Sequence, residues 1–374
     1  MSAASVAAVS PVLVVGALMC LMPAVTRPTL QFGVRVPRER AGAPVIGRER
    51  RAYYWRTAAI GVCCTLVAVT VQGHWPSWLT RIILAPELAA GLGCFWVAQR
   101  KIAAVKNADG WFAGLRQTVV ADTSWRTDPP RFPVRWLIPA LAVMAATAAV
   151  GALRYPGLPA HIVTGSGHRV PKSALSILIV AGQLYFTTVY SGLMLIVHRS
   201  RPDIEAADPA ASTLRYRRFL AAITRALLTL AALVDASLLL VALPDWQVYR
   251  LSGIGRALPV LPFAAGVLLL GAVAARTGQG GSRLNGNVRG LARAAGTDRD
   301  DDRFWKAGLL YVNRDDPALV VGARFGVGWM LNYGNPVAWL LIAGTFAAWP
   351  AWRCSGRRRE CDRALSRSPA ESGF

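Results

Sequence analysis

Apolar residues along this chain gather into long continuous runs, without the spacing of a surface helix or a half-buried strand. Eight runs meet or nearly meet the roughly 17–25 residues a helix needs to cross a hydrocarbon layer. They extend from Ala3 to Val25, Thr57 to Gln72, Leu79 to Ala98, Trp136 to Leu153, Ala174 to Val197, Phe219 to Leu243, Leu258 to Ala275 and Pro336 to Trp352. The second and the last are short, and the last contains Pro350, so it is either an eighth span or a re-entrant segment that leaves seven. Each run is bounded by Arg, Trp, Tyr or Pro. Trp55, Trp75, Trp78, Trp136, Trp246, Trp339 and Trp352 lie at or within a turn of such a boundary, where amphipathic rings settle at a membrane interface. The predicted fold class is all-α integral membrane. About eight transmembrane helices, or seven, form a bundle with a small cytoplasmic appendage of α/β or β-hairpin type.

Composition sharpens this. Charged residues make up 17% of the 374 residues, against roughly 25% in an ordinary soluble domain, which excludes a conventional soluble enzyme. The net charge of +22 does not point to nucleic acid, because only four basic residues are Lys (Lys101, Lys106, Lys172, Lys306) and the Arg residues cluster just beyond the ends of apolar runs. There they are held by anionic headgroups and by the bias against moving positive charge across during insertion. The expected partner is a bilayer containing anionic lipids, with a small ion or a peptide as a possible ligand. The loops after runs one, three, five and seven hold 29 Lys and Arg; those after two, four and six hold 5. The first set is predicted to be cytoplasmic and the N-terminus outside. The first run has no Lys or Arg before it and no small-x-small cleavage site, so it reads as a retained helix. Six Arg follow Trp352, on the side that eight spans would place outside. The chain thus divides into helices one to seven (1–276), a cytoplasmic segment (277–335), the final span or re-entrant helix (336–352) and a basic, disordered tail (353–374).

Catalytic signatures are missing. Cys20, Cys63, Cys64 and Cys94 lie within apolar runs, where Cys behaves as a small hydrophobe. Cys354 and Cys361 in the tail could bridge only in an oxidising compartment. No C-x-x-C pair and no ligand-spaced His occur, so no metal is expected. No Lys follows a Gly as a phosphate loop requires, the Gly326-Val327-Gly328 stretch lacks a third glycine, and Ser166 is flanked by Thr164 and His168 rather than Gly. No catalytic residue and no cofactor are assigned.

Three polar residues inside apolar runs are the candidate site. Glu87 lies eight residues from the outer end of run three, Asp235 eight from that of run six, and Gln183 nine into run five. At about 1.5 Å per residue, all three sit about 12–14 Å below one surface. Pro86, beside Glu87, removes a backbone donor and displaces the carbonyl of Ile82. An ionisable group in hydrocarbon is costly enough to imply function, and two carboxyls at one level suit a proton or a cation. The alternative is that Glu87 and Asp235 separately pair with Arg81 and Arg225, or with helix hydroxyls, and merely fix the bundle.

Outside the runs, Arg27 to Arg40 reads as a headgroup-hugging connector. Arg100 to Arg135 begins with apolar residues at 102, 105, 112, 115 and 119, as an amphipathic helix lying on the inner surface would. Leu309 to Val312 and Leu319 to Val321 flank an Asn-Arg-Asp-Asp-Pro turn, as in a hairpin, with Asp315 and Asp316 as turn formers. Trp329, Leu331 and Tyr333 then alternate toward the last run.

Two segments resemble known families. Arg154 to Ser173 (R-Y-P-G-L-P-A-H-I-V-T-G-S-G-H-R-V-P-K-S) resembles the bacterial membrane domain of unknown function numbered 1648, found in proteins related to the SdpI-type toxin-immunity family. It departs from that pattern in placing His161 before Ile162 and in lacking the Asp. Asp300 to Trp339 is similar to the domain of unknown function numbered 5808, with W-K-x-G, Y-x-N-x-D-D-P and R-x-G-x-G-W-x-x-N-x-G-x-P elements. These are carried by Trp305, Lys306, Gly308, Asn313, Asp315, Asp316, Pro317, Gly326, Gly328, Trp329, Asn332 and Pro336. The combination resembles actinobacterial membrane proteins. It implies a multi-pass, non-enzymatic protein of the cytoplasmic membrane, of envelope, immunity or signalling type; the residues alone leave a proton- or ion-coupled transporter as the alternative.

Overall fold

The computed structural model describes residues 3–71, 78–112, 130–163, 169–200, 209–249, 258–284 and 302–347. Eight α-helices occur among them: α1 (Ala3–Val25), α2 (Pro44–Val71), α3 (Trp78–Ala108), α4 (Ile138–Arg154), α5 (Lys172–Arg199), α6 (Pro209–Asp245), α7 (Val260–Thr277) and α8 (Pro336–Ala347). Six of them, α2 to α7, are long and apolar enough to cross a membrane. α8 is described over 12 residues, and 348–374, with its six Arg, Cys354 and Cys361, lies outside the described residues. Large apolar side chains point away from the protein all along these helices: Leu66, Ile177, Leu268 and Leu340 are 60–73% exposed. In water so much outward apolar surface would be a liability; against lipid it is the favourable arrangement.

The helices form two groups. α1, α2 and α3 pack on one another, while α6 packs on α4, α5 and α7. Several helices outrun their apolar stretches. α2 starts at Pro44 rather than near Thr57, and α6 at Pro209 rather than near Phe219. The added turns carry Arg48, Glu49, Arg50 and Arg51 in α2 and Arg215, Arg217 and Arg218 in α6. Arg and Glu are good helix formers that a hydropathy pattern reads as loop.

The amphipathic surface helix predicted after Arg100 is instead the end of α3, which continues to Ala108. Ile102 is fully buried there, in a core with Phe32, Val34, Ile46, Tyr53, Phe95 and Trp111. A protein partner covers this apolar face, so no membrane surface is needed; positions 115 and 119 lie outside the described residues. The partner is a short hairpin, β1 (Leu30–Gln31) and β2 (Val34–Arg35). Its two turn residues, Phe32 and Gly33, both have positive φ, 49° and 74°, as a two-residue type I′ turn demands. The segment read as a headgroup-hugging connector is therefore an inserted wedge.

The expected hairpin around Asn313–Pro317 is replaced by two others. β5 (Trp305–Lys306) pairs with β6 (Leu310–Tyr311), and β7 (Val320–Gly322) with β8 (Trp329–Leu331). Ala307 and Gly308, at φ 53° and 71°, reverse the chain before the Asp-Asp-Pro turn is reached, and that turn joins the two hairpins. Between α4 and α5, β3 (His161–Val163) pairs with β4 (Arg169–Pro171); 164–168 lies outside the described residues.

Connections gather at two ends. At one, residues 302–335 meet β1–β2, the segment after α7 and the ends of α3 and α5. Asp302 pairs with Lys106 and Arg324, and Val320 packs with Met194, Val197 and Phe219. At the other, Arg154 donates to the Gln247 carbonyl at 2.7 Å, and Leu158, Ile162, Leu175 and Trp246 share a core.

Candidate functional site

The polar residues of the apolar runs form two buried centres. In the first, Asp235 of α6 is fully buried. Thr187 of α5 donates its hydroxyl to Asp235 Oδ2 at 2.8 Å. One turn earlier on the same face, Gln183 donates its amide to Thr147 Oγ1 of α4 at 2.8 Å and to the backbone carbonyl of Asp235 at 2.9 Å. Thr147 passes its own proton to the Val143 carbonyl at 2.8 Å. The donors of Gln183, Thr187 and Thr147 are thereby committed. Two acceptors are left over: Asp235 Oδ1 and Gln183 Oε1 are buried and have no hydrogen-bond partner among the described residues. Among the described residues no basic side chain pairs with the carboxyl, and Arg225, two to three turns earlier on α6, is exposed. Gln183 and Asp235, which the sequence places at one level, meet directly, and the carboxyl's partner is a helix hydroxyl, one of the two kinds of partner that the sequence left open.

Glu87 occupies the second centre, in the group formed by α1, α2 and α3. Its carboxyl is 1% exposed and fills the space left by two glycines. A Cβ at Gly16 of α1 would lie 3.0 Å from Oε1, and one at Gly61 of α2 would lie 3.8 Å away. Neither oxygen has a hydrogen-bond partner among the described residues. The fold thus brings together two of the three predicted site residues and leaves the third apart. α3 turns the Glu87 face toward α1 and α2, whereas α6 turns Asp235 toward α4 and α5. The side chain of Arg81 lies outside the described residues.

An unpaired carboxylate in hydrocarbon carries a desolvation cost of several kcal/mol, roughly, even after relaxation. Each centre can therefore hold a proton or accept a cation, and neither carries a nucleophile beside a base. Among the described residues, no three His, Cys, Asp or Glu side chains come together as a metal site requires.

The twelve motif residues build a different structure, a module that joins the two helix groups. Asn332, fully buried, is its hub. Its amide donates to the carbonyls of Asn313, Asp316 and Ala318 at 2.8–3.1 Å, and its oxygen accepts from the backbone N–H groups of Asn313 and Gly334. Asp316 caps the Ala318 N–H and accepts from the Tyr311 hydroxyl; the Asp315 N–H donates to Asn313 Oδ1; Pro317 offers its carbonyl to Asn335. Trp305 is buried beneath Arg324, 4.5 Å from the ring, and Lys306 is an exposed strand residue. Gly308 lies so close to the β1–β2 turn that a Cβ on Gly33 would meet its carbonyl at 2.1 Å. The Gly326 N–H reaches Thr26 at 2.9 Å, the Gly328 N–H reaches Gln279 at 2.7 Å, and Trp329 donates to the Tyr216 hydroxyl at 2.9 Å. Pro336 opens α8.

Three residues of importance escaped the sequence reading, and a fourth, Arg324, entered it only as the unnumbered Arg of the R-x-G-x-G-W element. Thr147 and Thr187 are hydroxyls within apolar runs, and only the four-residue spacing of Gln183 and Thr187 hinted at a shared face. Arg324, 3% exposed, donates to the Gly33 carbonyl at 2.9 Å. Gln279 holds Ala323 and Gly328 with one side chain. Comparison of the chain with protein-family models, with curated proteins and with solved structures gives no match.

Proposed function

We propose that this is a multi-pass membrane protein whose helical core binds and releases a proton, or a small cation, at Asp235, and so acts as a proton- or ion-coupled carrier. One observation carries the reading: the Asp235 carboxyl is buried among apolar helices with a hydroxyl on one oxygen and, among the described residues, no protein donor on the other and no basic side chain paired with it. A buried carboxyl tied up on both oxygens by protein donors is held ionised and fixed, whereas one held by a single hydroxyl can take up and give up a proton. Gln183 and Thr187 are positioning residues that aim it, and Glu87 is a second exchange group in the other helix group.

The test uses the full chain in liposomes loaded with a pH-sensitive dye, with a potassium diffusion potential driving proton entry. The parent protein is expected to acidify the lumen, and Asp235→Asn to slow this by at least about tenfold, the scale of removing one proton-transfer group. A variant that conducts as well as the parent would remove the proposal, as would a parent indistinguishable from empty vesicles.

The immunity or signalling type implied by the resemblance is the second reading, favoured by the folded module of residues 302–335 on the predicted cytoplasmic side. A strain lacking the protein would then be sensitised to an envelope-acting peptide; unchanged sensitivity across such agents counts against it.

A further inference from the structure

The junction of α4, α5 and α6 around Asp235 holds more acceptors than donors. Gln183 spends both amide hydrogens, one on Thr147 Oγ1 at 2.8 Å and one on the Asp235 backbone carbonyl at 2.9 Å. A carbonyl can only accept, so the amide cannot be turned the other way round, and its oxygen is fixed on the side away from that bond. Thr147 gives its hydroxyl hydrogen to the Val143 carbonyl at 2.8 Å, and Thr187 gives its own to Asp235 Oδ2 at 2.8 Å. The N–H and O–H groups of Gln183, Thr147 and Thr187 are then used. Asp235 Oδ1 and Gln183 Oε1 have no hydrogen-bond partner among the described residues, on side chains that are 0% exposed. Each of the two threonine oxygens keeps an unused lone pair as well.

A set of acceptors is complemented by a species that only accepts lone pairs. A proton set between the two orphaned oxygens satisfies that pair alone, whereas a bare cation draws on the hydroxyl oxygens too. The donor atoms are all oxygens, which selects a hard cation. Charge selects a monovalent one. One carboxylate, with no basic side chain paired to it among the described residues, neutralises a single positive charge, and a divalent ion would leave an excess in the apolar core. Among the described residues no three His, Cys, Asp or Glu side chains come together, in keeping with an ion held mainly by neutral oxygens. A single carboxylate of high field strength with a few neutral oxygens favours the smaller alkali ion, since potassium sites are built from whole rings of carbonyls.

We infer that the Asp235 junction is a Na+ site at which the ion competes with the proton for the carboxyl. Asp235 Oδ1 and Gln183 Oε1 are its principal ligands, and the hydroxyl oxygens of Thr147 and Thr187 are the neutral ones beside them. Binding of Na+ to the protonated carboxyl releases one proton, so the charge of the site is conserved. The inference rests on the reading of Asp235 as an exchange group and names the ion that the proton is exchanged for.

The experiment measures equilibrium binding of radioactive sodium to the purified full chain in detergent, beside the dye-loaded liposome assay of proton entry. The parent is expected to bind one Na+ per chain. On the acid side its dissociation constant should rise about tenfold per pH unit, because each ion bound displaces one proton. K+ should displace the bound ion at least about tenfold less well than Na+ does. Asp235→Asn should abolish binding. Gln183→Leu, in protein that elutes as the parent does, should weaken it at least about tenfold, the scale of disturbing one group at a metal site. Gln183→Glu, which adds a second carboxylate, should turn the preference toward Ca2+, a change that a purely structural glutamine would not produce. A parent that binds no Na+, or that binds K+ equally well, would overturn the inference, as would unaltered Na+ affinity in Gln183→Leu. If that parent still conducts protons, the carrier reading stands without sodium; if the parent binds Na+ and conducts nothing, the site stands and the carrier reading falls.

Discussion

Gln183 has two amide hydrogens and commits both, to Thr147 and to the backbone carbonyl of Asp235. Gln183→Leu keeps the volume and removes both bonds. Inter-helical polar contacts in membranes contribute about 0.6–2 kcal/mol, so unfolding in bicelles should show a loss within that range; a loss near zero would mean the amide plays no part in joining α4, α5 and α6. In the module the hub is larger, because Asn332 satisfies five backbone groups. Each buried group left without a partner costs roughly 1–3 kcal/mol, so Asn332→Ala should raise amide exchange at 311–318 at least about a hundredfold, a change that hydrogen-exchange mass spectrometry resolves; native-like protection there would contradict the hub role. At this scale the sequence was partly legible. Counting residues from the helix ends put Gln183 and Asp235 at one depth, since rise per residue is fixed. It could not say which way a helix is turned, so Glu87 was grouped with them although its face meets Gly16 and Gly61.

Among the elements, the spanning helices were the most readable, because twenty apolar residues in a row have few other uses. α1 matches its predicted bounds. The ends of α2, α3 and α6 were not readable, since helical turns beyond the hydrocarbon are held by contacts with other segments and carry Arg in abundance. The β1–β2 hairpin was missed for a related reason. Its turn is Phe-Gly, and Phe rarely adopts positive φ; here burial against Tyr53, Phe95 and Phe325, with ring centres 5.2–6.0 Å away, compensates the strain. Gly33 tolerates no side chain. Its φ of 74° costs an L-residue roughly 1–2 kcal/mol, and a Cβ would strike the Gly308 carbonyl. Gly33→Ala should therefore lower the midpoint of thermal unfolding by several degrees, whereas Gly42→Ala, with nothing within 4 Å of its Cβ, should leave it unchanged. Equal effects of the two would show that the hairpin's seat on the module is unimportant.

For the whole molecule, two helix groups are tied by one module of residues 302–335, which reaches Thr26 and Gly33 on one side and Tyr216 and Gln279 on the other. The basic loop after α1, residues 278–284 after α7 and the basic ends of α3 and α5 lie at the same end as this module, the end that the arginine bias predicts to be cytoplasmic. Impermeant thiol labels applied from outside intact cells should thus fail to reach Cys placed at Arg35 or Arg51 and succeed at His161; the reverse pattern would invert the map. Whether Asp235 exchanges a proton within the helical core is read most directly by infrared difference spectroscopy of the lipid-reconstituted protein during a change from acid to alkaline buffer. Proton exchange at Asp235 predicts a protonated-carboxyl carbonyl band that is lost on the alkaline side and is missing from Asp235→Asn. Identical difference spectra for parent and variant would contradict it.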